Sequence, residues 1–277
     1  MSGYALQILS VLIVNIVVAY AAYMPLACGQ LNLGIAGFMA IGAYTSAVLS
    51  GHGFPLAPSI AGGALAATIA GLLISYPVLR ARGIYLTIAT LAFSEVIVAA
   101  LLNFKQLGAA NGLVVANHMT VGPMLWTLVI VLVVVAWLSS TRFGLVMTAI
   151  RNDGPGAAVF GVGVRRVEVT AFTIGAAFAG VAGALYAHHF NYIEAQHFNV
   201  LLSTYAVLYA LLGGLQTPLG PLIGAAVFTL APEFLRSTEQ WRYVGFGVSI
   251  ILLMLLRPEG LLTRRLIHEL PFRRRYA

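Results

Sequence analysis

The stretch PMLWTLVIVLVVVAWLSS, residues 123–140, decides the fold class of this chain. It carries no charged side chain. Its length is close to the roughly 20 apolar residues that a helix needs to cross the hydrocarbon core of a bilayer. The residues that follow, TRFGLVMTAIRNDGPGAAVFGVGVRR (141–166), are named the basic segment below. They hold five charged side chains, Arg142, Arg151, Asp153, Arg165 and Arg166. The contrast predicts a membrane-spanning helix that ends at a segment outside the membrane.

The rest of the chain has the same apolar character. Of its 277 residues, 60% are hydrophobic and only 8% are charged, whereas soluble domains are about 25% charged. Lipid must therefore be the solvent for most of the chain. Only helices and closed barrels satisfy their backbone in lipid, and these apolar runs are too long for barrel strands. We predict an all-α polytopic membrane protein of about 8–10 transmembrane helices, built as a single transmembrane domain over residues 1–277.

Hydropathy places nine candidate spans along the chain. They run roughly over residues 5–24, 34–50, 57–79, 83–103, 123–140, 167–189, 200–215, 219–235 and 243–257. If the second candidate is a re-entrant segment, the amino terminus changes sides, but everything from residue 51 onward keeps its side. Small residues at every fourth position, such as Gly63, Ala67 and Gly71, predict close helix packing within one subunit or at a dimer interface.

The basic residues predict which loops face the cytoplasm. With the amino terminus outside and the spans alternating, twelve basic residues fall on one side and three on the other. The inner set is Arg80, Arg82, Arg142, Arg151, Arg165, Arg166, Arg257, Arg264, Arg265, Arg273, Arg274 and Arg275, and the outer set is Lys105, Arg236 and Arg242. Cytoplasmic loops carry the excess of lysine and arginine. The basic segment and the tail 258–277 are therefore predicted to be cytoplasmic.

Local signals inside the basic segment predict two short helices. A helical pattern ends near Asn152, and Asp153 is a good N-cap with Pro155 at the start of the next turn. The run GAAVFG can form a short helix that Gly161 and Gly163 stop. The alternative is a solvated loop that only obeys the charge rule.

Polar residues inside the spans are candidates for a transport pathway, because ionisable groups at membrane depth are expensive. Thr87, Thr90 and Ser94 share one helical face, with Glu95 on its flank. Gln30, Asn32, Tyr44 and Thr45 surround a glycine-rich stretch that lines a cavity or is buried in protein. The other interpretation of Glu95 and its neighbours is a hydrogen-bonded cluster between helices. We list the eight pathway candidates as Gln30, Asn32, Tyr44, Thr45, Thr87, Thr90, Ser94 and Glu95.

Several classes of chemistry find no support in the sequence. It has no P-loop pattern, no HExxH and no dinucleotide fingerprint, and no nucleophile–base constellation of an enzyme. Cys28 is the single cysteine, which excludes an intramolecular disulfide. His188, His189, Glu194 and His197 lie close together, but their spacing matches no standard metal site, so a polar outer rim is the expectation and a metal is not. The basic residues form no stripe with interleaved aromatics, so we expect no nucleic-acid partner.

The chain resembles one family of membrane permeases. The motifs LNLGIAGFMAIGAYTSA (31–47), RGIYLTIATLAFSEV (82–96), the basic segment, GVAGALYAHHFNYIEAQHF (180–198), LLGGLQTPLGPLIGA (211–225) and RPEGLL (257–262) occur in this order. Together they resemble the LivM-type permease subunit of bacterial branched-chain amino-acid ABC importers, and RGIYLTIATLAF favours it over the LivH-type partner.

The resemblance implies a division of labour among several proteins. The chain would be half of a heterodimer with a LivH-type permease in the inner membrane, in contact with lipid, and would serve two ATP-binding subunits and a periplasmic binding protein. It would hold no cofactor of its own, since ATP would bind to the partners. The basic segment would be the loop that couples to the ATPase, and the matching residues are Arg151, Asn152, Asp153, Ala157, Ala158 and Gly161.

Two alternatives remain at the level of sequence. One is a secondary transporter coupled to H⁺ or Na⁺, although Glu95 is nearly alone and no internal repeat is evident. The other is a permease of the same importer class for urea or amides, since the resemblance leaves the exact solute open.

Overall fold

The computed structural model of the chain describes residues 3–234, 247, 251, 255 and 260–262. Over these residues the protein is a bundle of α-helices with one two-residue antiparallel strand pair, in which Leu113 pairs with Ile193 and Val114 with Tyr192. Apart from residues 247, 251 and 255, the ninth candidate span, 243–257, lies outside the described residues, as does most of the predicted basic tail.

The helices follow the predicted spans closely. In chain order they are α1 (Gly3–Leu26), α2 (Ile35–Gly51), α3 (Leu56–Val78), α4 (Ile84–Asn103), α5 (Val121–Ser140), α6 (Arg142–Asn152), α7 (Gly154–Val159), α8 (Val164–Phe190), α9 (Val200–Gly213) and α10 (Gly220–Phe234). The strands β1 (Leu113–Val114) and β2 (Tyr192–Ile193) precede α5 and follow α8.

Five of these helices are long and apolar enough to cross a membrane, namely α1, α3, α4, α5 and α8, and α2, α9 and α10 are shorter apolar helices. The prediction of an all-α polytopic membrane protein is thereby confirmed.

Loops and helix ends gather on two opposite faces of the bundle. On one face, Arg151 of the basic segment lies against Gly29, just after α1, and Arg165 donates a hydrogen bond to the Tyr76 carbonyl near the end of α3. On the other face, Asn117 donates to the Phe54 carbonyl, and β1 pairs with β2. Since α1 of 24 residues spans about 36 Å, its amino end lies opposite the basic segment. This geometry agrees with the alternating arrangement in which α2 crosses rather than re-enters.

Helix α8 is the centre of the bundle and packs against α1, α2 and α3. Small residues permit this, because a side chain at Gly42 of α2 would collide with the backbone of Gly180 in α8, and Gly180 in turn faces Ala67 of α3. The small-residue rows of α3 and α8 therefore pack within this subunit, as one of the two sequence interpretations stated. Close backbone approach is how helices associate in lipid, where burial of apolar surface gives no driving force.

Helices α9 and α10 form a tight antiparallel pair that returns through the turn at 214–219. Gly213, Gly220 and Gly224 sit where any added Cβ would meet the backbone of the facing helix. The backbone amides of Leu261 and Leu262 bond to the carbonyls of Leu212 and Gly213 at 2.8 and 3.0 Å. The end of the motif RPEGLL, Leu261 and Leu262, thus meets the motif LLGGLQTPLG, which is distant in sequence, on the same face as the basic segment.

Candidate functional site

The basic segment folds into two helices set at a corner, as its local signals predict. Helix α6 ends at Asn152, and Asp153 adopts an extended backbone whose carboxylate accepts the Gly156 amide at 2.9 Å. This is an N-cap, and Pro155 follows inside the first turn, where its missing amide costs nothing. The capping role inferred for Asp153 and the predicted place of Pro155 at the start of the helix are confirmed.

Helix α7 is stopped by a glycine in the left-handed region. Gly161 has φ +79° and its amide bonds to the Ala158 carbonyl, while the Val162 amide bonds to the Ala157 carbonyl. A residue with a Cβ resists this backbone angle, so glycine is required by conformation. Nothing lies within 4 Å of a Cβ built at Gly161, so space is not the constraint there.

The outward face of α7 is apolar, which the sequence pattern did not predict. Val159 is 85% exposed and Phe160 is 90% exposed. Ala157, proposed as a small contact residue, is buried inside the subunit, whereas Ala158 is exposed. A phenylalanine in a glycine-rich charged segment was visible in the sequence, but only the structure fixes the face of the short helix on which it lies.

Arg151 points into the subunit instead of away from it. Its guanidinium donates to the Leu215 carbonyl in the α9–α10 turn at 2.9 Å, and its Cα lies 3.7 Å from the position of a Cβ at Gly29. Asn152 and Asp153 are exposed. The end of α6 is therefore tied both to the segment after α1 and to the α9–α10 turn, so a displacement of α6 would reach both.

The early polar stretch is an irregular segment, residues 27–34, that α4 holds in place. Thr90 accepts a hydrogen bond from the Leu33 amide at 3.0 Å, and Thr87 donates to the Leu31 carbonyl at 3.2 Å. The Asn32 side chain accepts from the Gly34 amide at 2.8 Å. Backbone that leaves a helix at membrane depth must find such partners. Here Asn32, Thr87 and Thr90 stabilise the segment, as the interpretation of a hydrogen-bonded cluster expects.

The remaining pathway candidates lie apart from one another. The Cα of Ser94 faces Gly37 of α2, and Tyr44 packs edge-on against Phe198 with ring centroids 6.4 Å apart. Thr45 is half-buried near the outer end of α2. In the described part of the chain, the side-chain polar atoms of Gln30, Tyr44 and Ser94 are buried without a hydrogen-bond partner. The eight candidates do not surround one common cavity, so their role in a pathway stays a prediction.

Glu95 lies near the middle of α4 on a face that none of the helices α1 to α10 covers. The residue is exposed, as are its neighbours Ala92, Val96 and Ala99. Within the described ranges, no hydrogen bond or ion pair engages its carboxylate. A charged side chain that faces lipid at this depth costs about 2.5–3.5 kcal/mol by insertion scales, so this face of α4 requires a polar partner or water.

The histidines of the opposite face make structural contacts. His188 is buried, and its Nδ1 lies 2.9 Å from the Asn117 carbonyl, which makes Nδ1 the donor and leaves Nε2 to accept from the Ser46 hydroxyl at 2.8 Å. His197 pairs with Glu194 at 3.7 Å. Among the described residues, no group of three or more His, Cys, Asp or Glu side chains is arranged to hold a metal ion. Glu194 and His197 form a polar rim beside β2, whereas His188, which was also expected in that rim, is buried.

Comparison with known proteins gives a consistent result. The family model described as "Branched-chain amino acid transport system / permease component" matches residues 4–256. The high-affinity branched-chain amino acid transport system permease protein LivM of Escherichia coli is 32% identical over an alignment of 273 positions that covers 84% of this chain and 64% of that protein. LivM of Salmonella typhimurium is 31% identical with the same coverage. The permease protein LivH of Escherichia coli is 29% identical over 154 residues, 54% of this chain and 49% of that protein.

The chain spans 64% of the length of its LivM relatives, and no solved structure matches it. The match to LivM is nevertheless longer and closer than the match to LivH, as the motif RGIYLTIATLAF predicts. The family match covers nearly every helix described above, and the chain therefore belongs to the family of permease components of branched-chain amino acid transport systems.

Proposed function

We propose that this chain is one permease subunit of an ATP-driven importer for branched-chain or related small amino acids in a bacterial inner membrane. It would pair with a LivH-type permease, bind two ATPase subunits at its cytoplasmic face and receive cargo from a periplasmic binding protein. The family match and the two kinds of relative, LivM and LivH, support this assignment.

The observation that carries the proposal is the apolar tip of α7. Val159 and Phe160 stand almost fully exposed on the face that bears the basic loops. An aromatic side chain that its own subunit leaves exposed is typical of the anchor residue of a protein interface, and such residues supply most of the binding energy. The sequence contains no P-loop, so in this proposal the energy enters through a docked ATPase that grips α7.

The contacts of α6 supply a route from that docking point into the bundle. Arg151 joins the end of α6 to the α9–α10 turn and lies against the segment after α1. An ATPase that moves α7 on binding ATP would move these elements with it. The nucleotide would then favour one conformation because it binds more tightly to the ATPase state that matches it.

The uncovered face of α4 is proposed as part of the surface shared with the sister permease. Glu95 is exposed there at membrane depth. A sister subunit that covers this face would give the carboxylate either a polar partner or a water-lined path between the two subunits. The polar rim around Glu194 and His197 on the opposite face is proposed as the seat of the binding protein.

The test is transport by a reconstituted complex. The full chain would be co-expressed with candidate ATPase, sister-permease and binding-protein partners, placed in liposomes with ATP inside, and assayed for uptake of labelled leucine. We expect uptake that needs ATP and persists when ionophores collapse ion gradients. Uptake that survives removal of ATP and stops with the ionophores would identify an ion-coupled transporter and refute the proposal. Competition by urea or acetamide, without competition by isoleucine and valine, would refute the substrate class alone.

A further inference from the structure

Three exposed arginines gather where α3, α4 and α8 end at the same face of the bundle. Arg80 follows the end of α3, Arg82 precedes α4, and Arg165 lies in the first turn of α8. The Arg165 guanidinium donates to the Tyr76 carbonyl at 2.9 Å, which holds the start of α8 against the end of α3. The fold thus brings Arg165 to two arginines that are distant in sequence. These three residues are named the arginine cluster below.

The positive charge of the arginine cluster is only partly compensated. The Glu168 carboxylate, one turn further along α8, interacts electrostatically with Arg82 and Arg165. It is the only acidic residue in the stretches 76–84 and 163–170, which build this corner of the bundle. Across the described part of the chain, no carboxylate lies within 4.0 Å of an arginine side chain of the cluster. One glutamate balances one arginine, so two positive charges remain at the end of the membrane-spanning helices, where anionic headgroups are attracted.

Tyrosine and aliphatic side chains adjoin the arginine cluster on the surface of α3 and α4. Tyr76 and Tyr85 are exposed at the level of the arginines, and Ile69, Leu73 and Ile88 are exposed one or more turns deeper. Tyrosine is enriched at the membrane interface, because its ring is apolar and its hydroxyl is polar. The order from arginine through tyrosine to aliphatic side chain follows the order of phosphate, glycerol region and acyl chain in a phospholipid.

Helices α3 and α4 border a groove between their outer faces. Although a short connection joins them, α3 packs against α2 and α8, α4 packs against α2 and the segment 27–34, and the two helices barely touch each other. Phe38 of α2 lies between them, with its ring centroid 4.8 Å from that of Phe93 in α4 and its Cε1 3.9 Å from the position of a Cβ at Gly71 in α3. The groove above Phe38 is therefore lined by apolar side chains and ends at the arginine cluster.

We propose that the arginine cluster and the α3–α4 groove bind one anionic phospholipid, of the phosphatidylglycerol class. The phosphodiester pairs with Arg82 and Arg165, because a planar guanidinium group matches two phosphate oxygens at once. Arg80 adds positive charge beside it, and an acyl chain lies along the groove. A soluble anion would use the arginines alone and leave the groove without an occupant. The inference concerns the surface of this chain, so it depends neither on the cargo nor on the ATPase.

The test is native mass spectrometry of the full chain in a non-ionic detergent, titrated with phosphatidylglycerol or with phosphatidylcholine that has the same acyl chains. We expect phosphatidylglycerol to bind more tightly. Arg82→Gln should weaken its binding about fivefold and Arg82→Gln with Arg165→Gln about 30-fold, the factors that one and two basic side chains contribute near an anionic surface. The matched control is Arg142→Gln, since Arg142 is exposed on the same face but follows α5. This control should not change the affinity.

Two further measurements separate lost binding from lost folding. Replacement of Arg82 and Arg165 by lysine keeps the charges and should preserve the preference for phosphatidylglycerol over phosphatidylcholine. A ligand that binds only the folded chain raises its stability. Phosphatidylglycerol in nanodiscs should therefore raise the melting temperature of the unaltered chain and of the lysine variant. It should not raise that of the double glutamine variant, although all three should melt alike in phosphatidylcholine.

Three results would overturn the inference. Equal binding of the two lipids, or undiminished binding to the double glutamine variant, would leave the arginines as determinants of topology only. Displacement of phosphatidylglycerol by an equal concentration of inorganic phosphate would assign the arginine cluster to a soluble anion. Unchanged lipid binding together with weaker binding of the ATPase to the double glutamine variant would assign the arginine cluster to the ATPase interface.

Discussion

Removal of the Phe160 side chain tests the docking role of α7 most directly. The side chain is 90% exposed in the subunit, so Phe160→Ala removes almost no internal packing, and surface changes of this kind alter stability by about 0.5 kcal/mol or less. Full burial of a phenylalanine against a partner contributes about 1.5–3 kcal/mol. We therefore expect ATPase binding to weaken by about 10- to 150-fold, since each 1.4 kcal/mol is a factor of ten.

The assay is a titration of the purified ATPase onto the chain and its sister permease in nanodiscs, with melting temperature measured in parallel. Phe104→Ala is the matched control, since Phe104 is also exposed, at 58%, but lies after α4 on the opposite face. The control should leave ATPase affinity unchanged. If Phe160→Ala binds the ATPase as tightly as the unaltered chain while the complex remains assembled, α7 does not use this face for docking and the argument fails.

Four further predictions concern other parts of the molecule. Gly161→Leu forces a side chain onto a backbone with φ +79°, at a cost of about 1–2 kcal/mol. This change should impair stimulated ATP hydrolysis while membrane insertion stays normal. Unimpaired hydrolysis would mean that the basic segment only connects two helices. Glu95→Leu should abolish uptake with assembly intact, and full activity would exclude both a pathway and an interface role. Gly42→Leu should lower the melting temperature strongly, because its side chain would meet α8 backbone, and a wild-type melting curve would contradict that packing. Thiols introduced at Pro155 and Asn199 in a cysteine-free background should react with impermeant reagent from opposite sides, and labelling from one side would refute the alternating arrangement.

Local chemistry in the basic segment could be predicted because it depends on residues only a few positions apart. Asp153 caps the amide three residues on, and Gly161 supplies the left-handed stop. The direction in which α7 turns its apolar side could not be predicted, since a six-residue helix has too little periodicity to mark a face. The sequence pattern therefore pointed to Ala157, which is buried, and not to Phe160.

The polar residues of the spans show a second limit of sequence reasoning. The spacing of Thr87, Thr90 and Ser94 correctly places them along one face of α4, but spacing does not say what that face meets. Thr87 and Thr90 meet the irregular segment 27–34, whose carbonyls and amides need partners, whereas Ser94 faces Gly37 of α2. Which backbone groups need hydrogen-bond partners depends on where α1 ends and α2 begins in the folded chain. Gln30 belongs to the same segment, and only its position in the fold shows that its amide is left without a partner.

Two exposed side chains do not suit the medium that surrounds them in the isolated subunit. Phe160 presents an aromatic ring to water, and Glu95 presents a carboxylate at the depth of lipid. Neither mismatch can be relieved within the described subunit, because each side chain sits on a surface with no neighbouring helix to cover it. Under the proposed function, an apolar groove in a soluble ATPase would remove the first, and a second membrane subunit would remove the second. The two residues thus indicate, independently of each other, one partner in water and one partner in the membrane. A permease that is driven by a separate ATPase requires this arrangement.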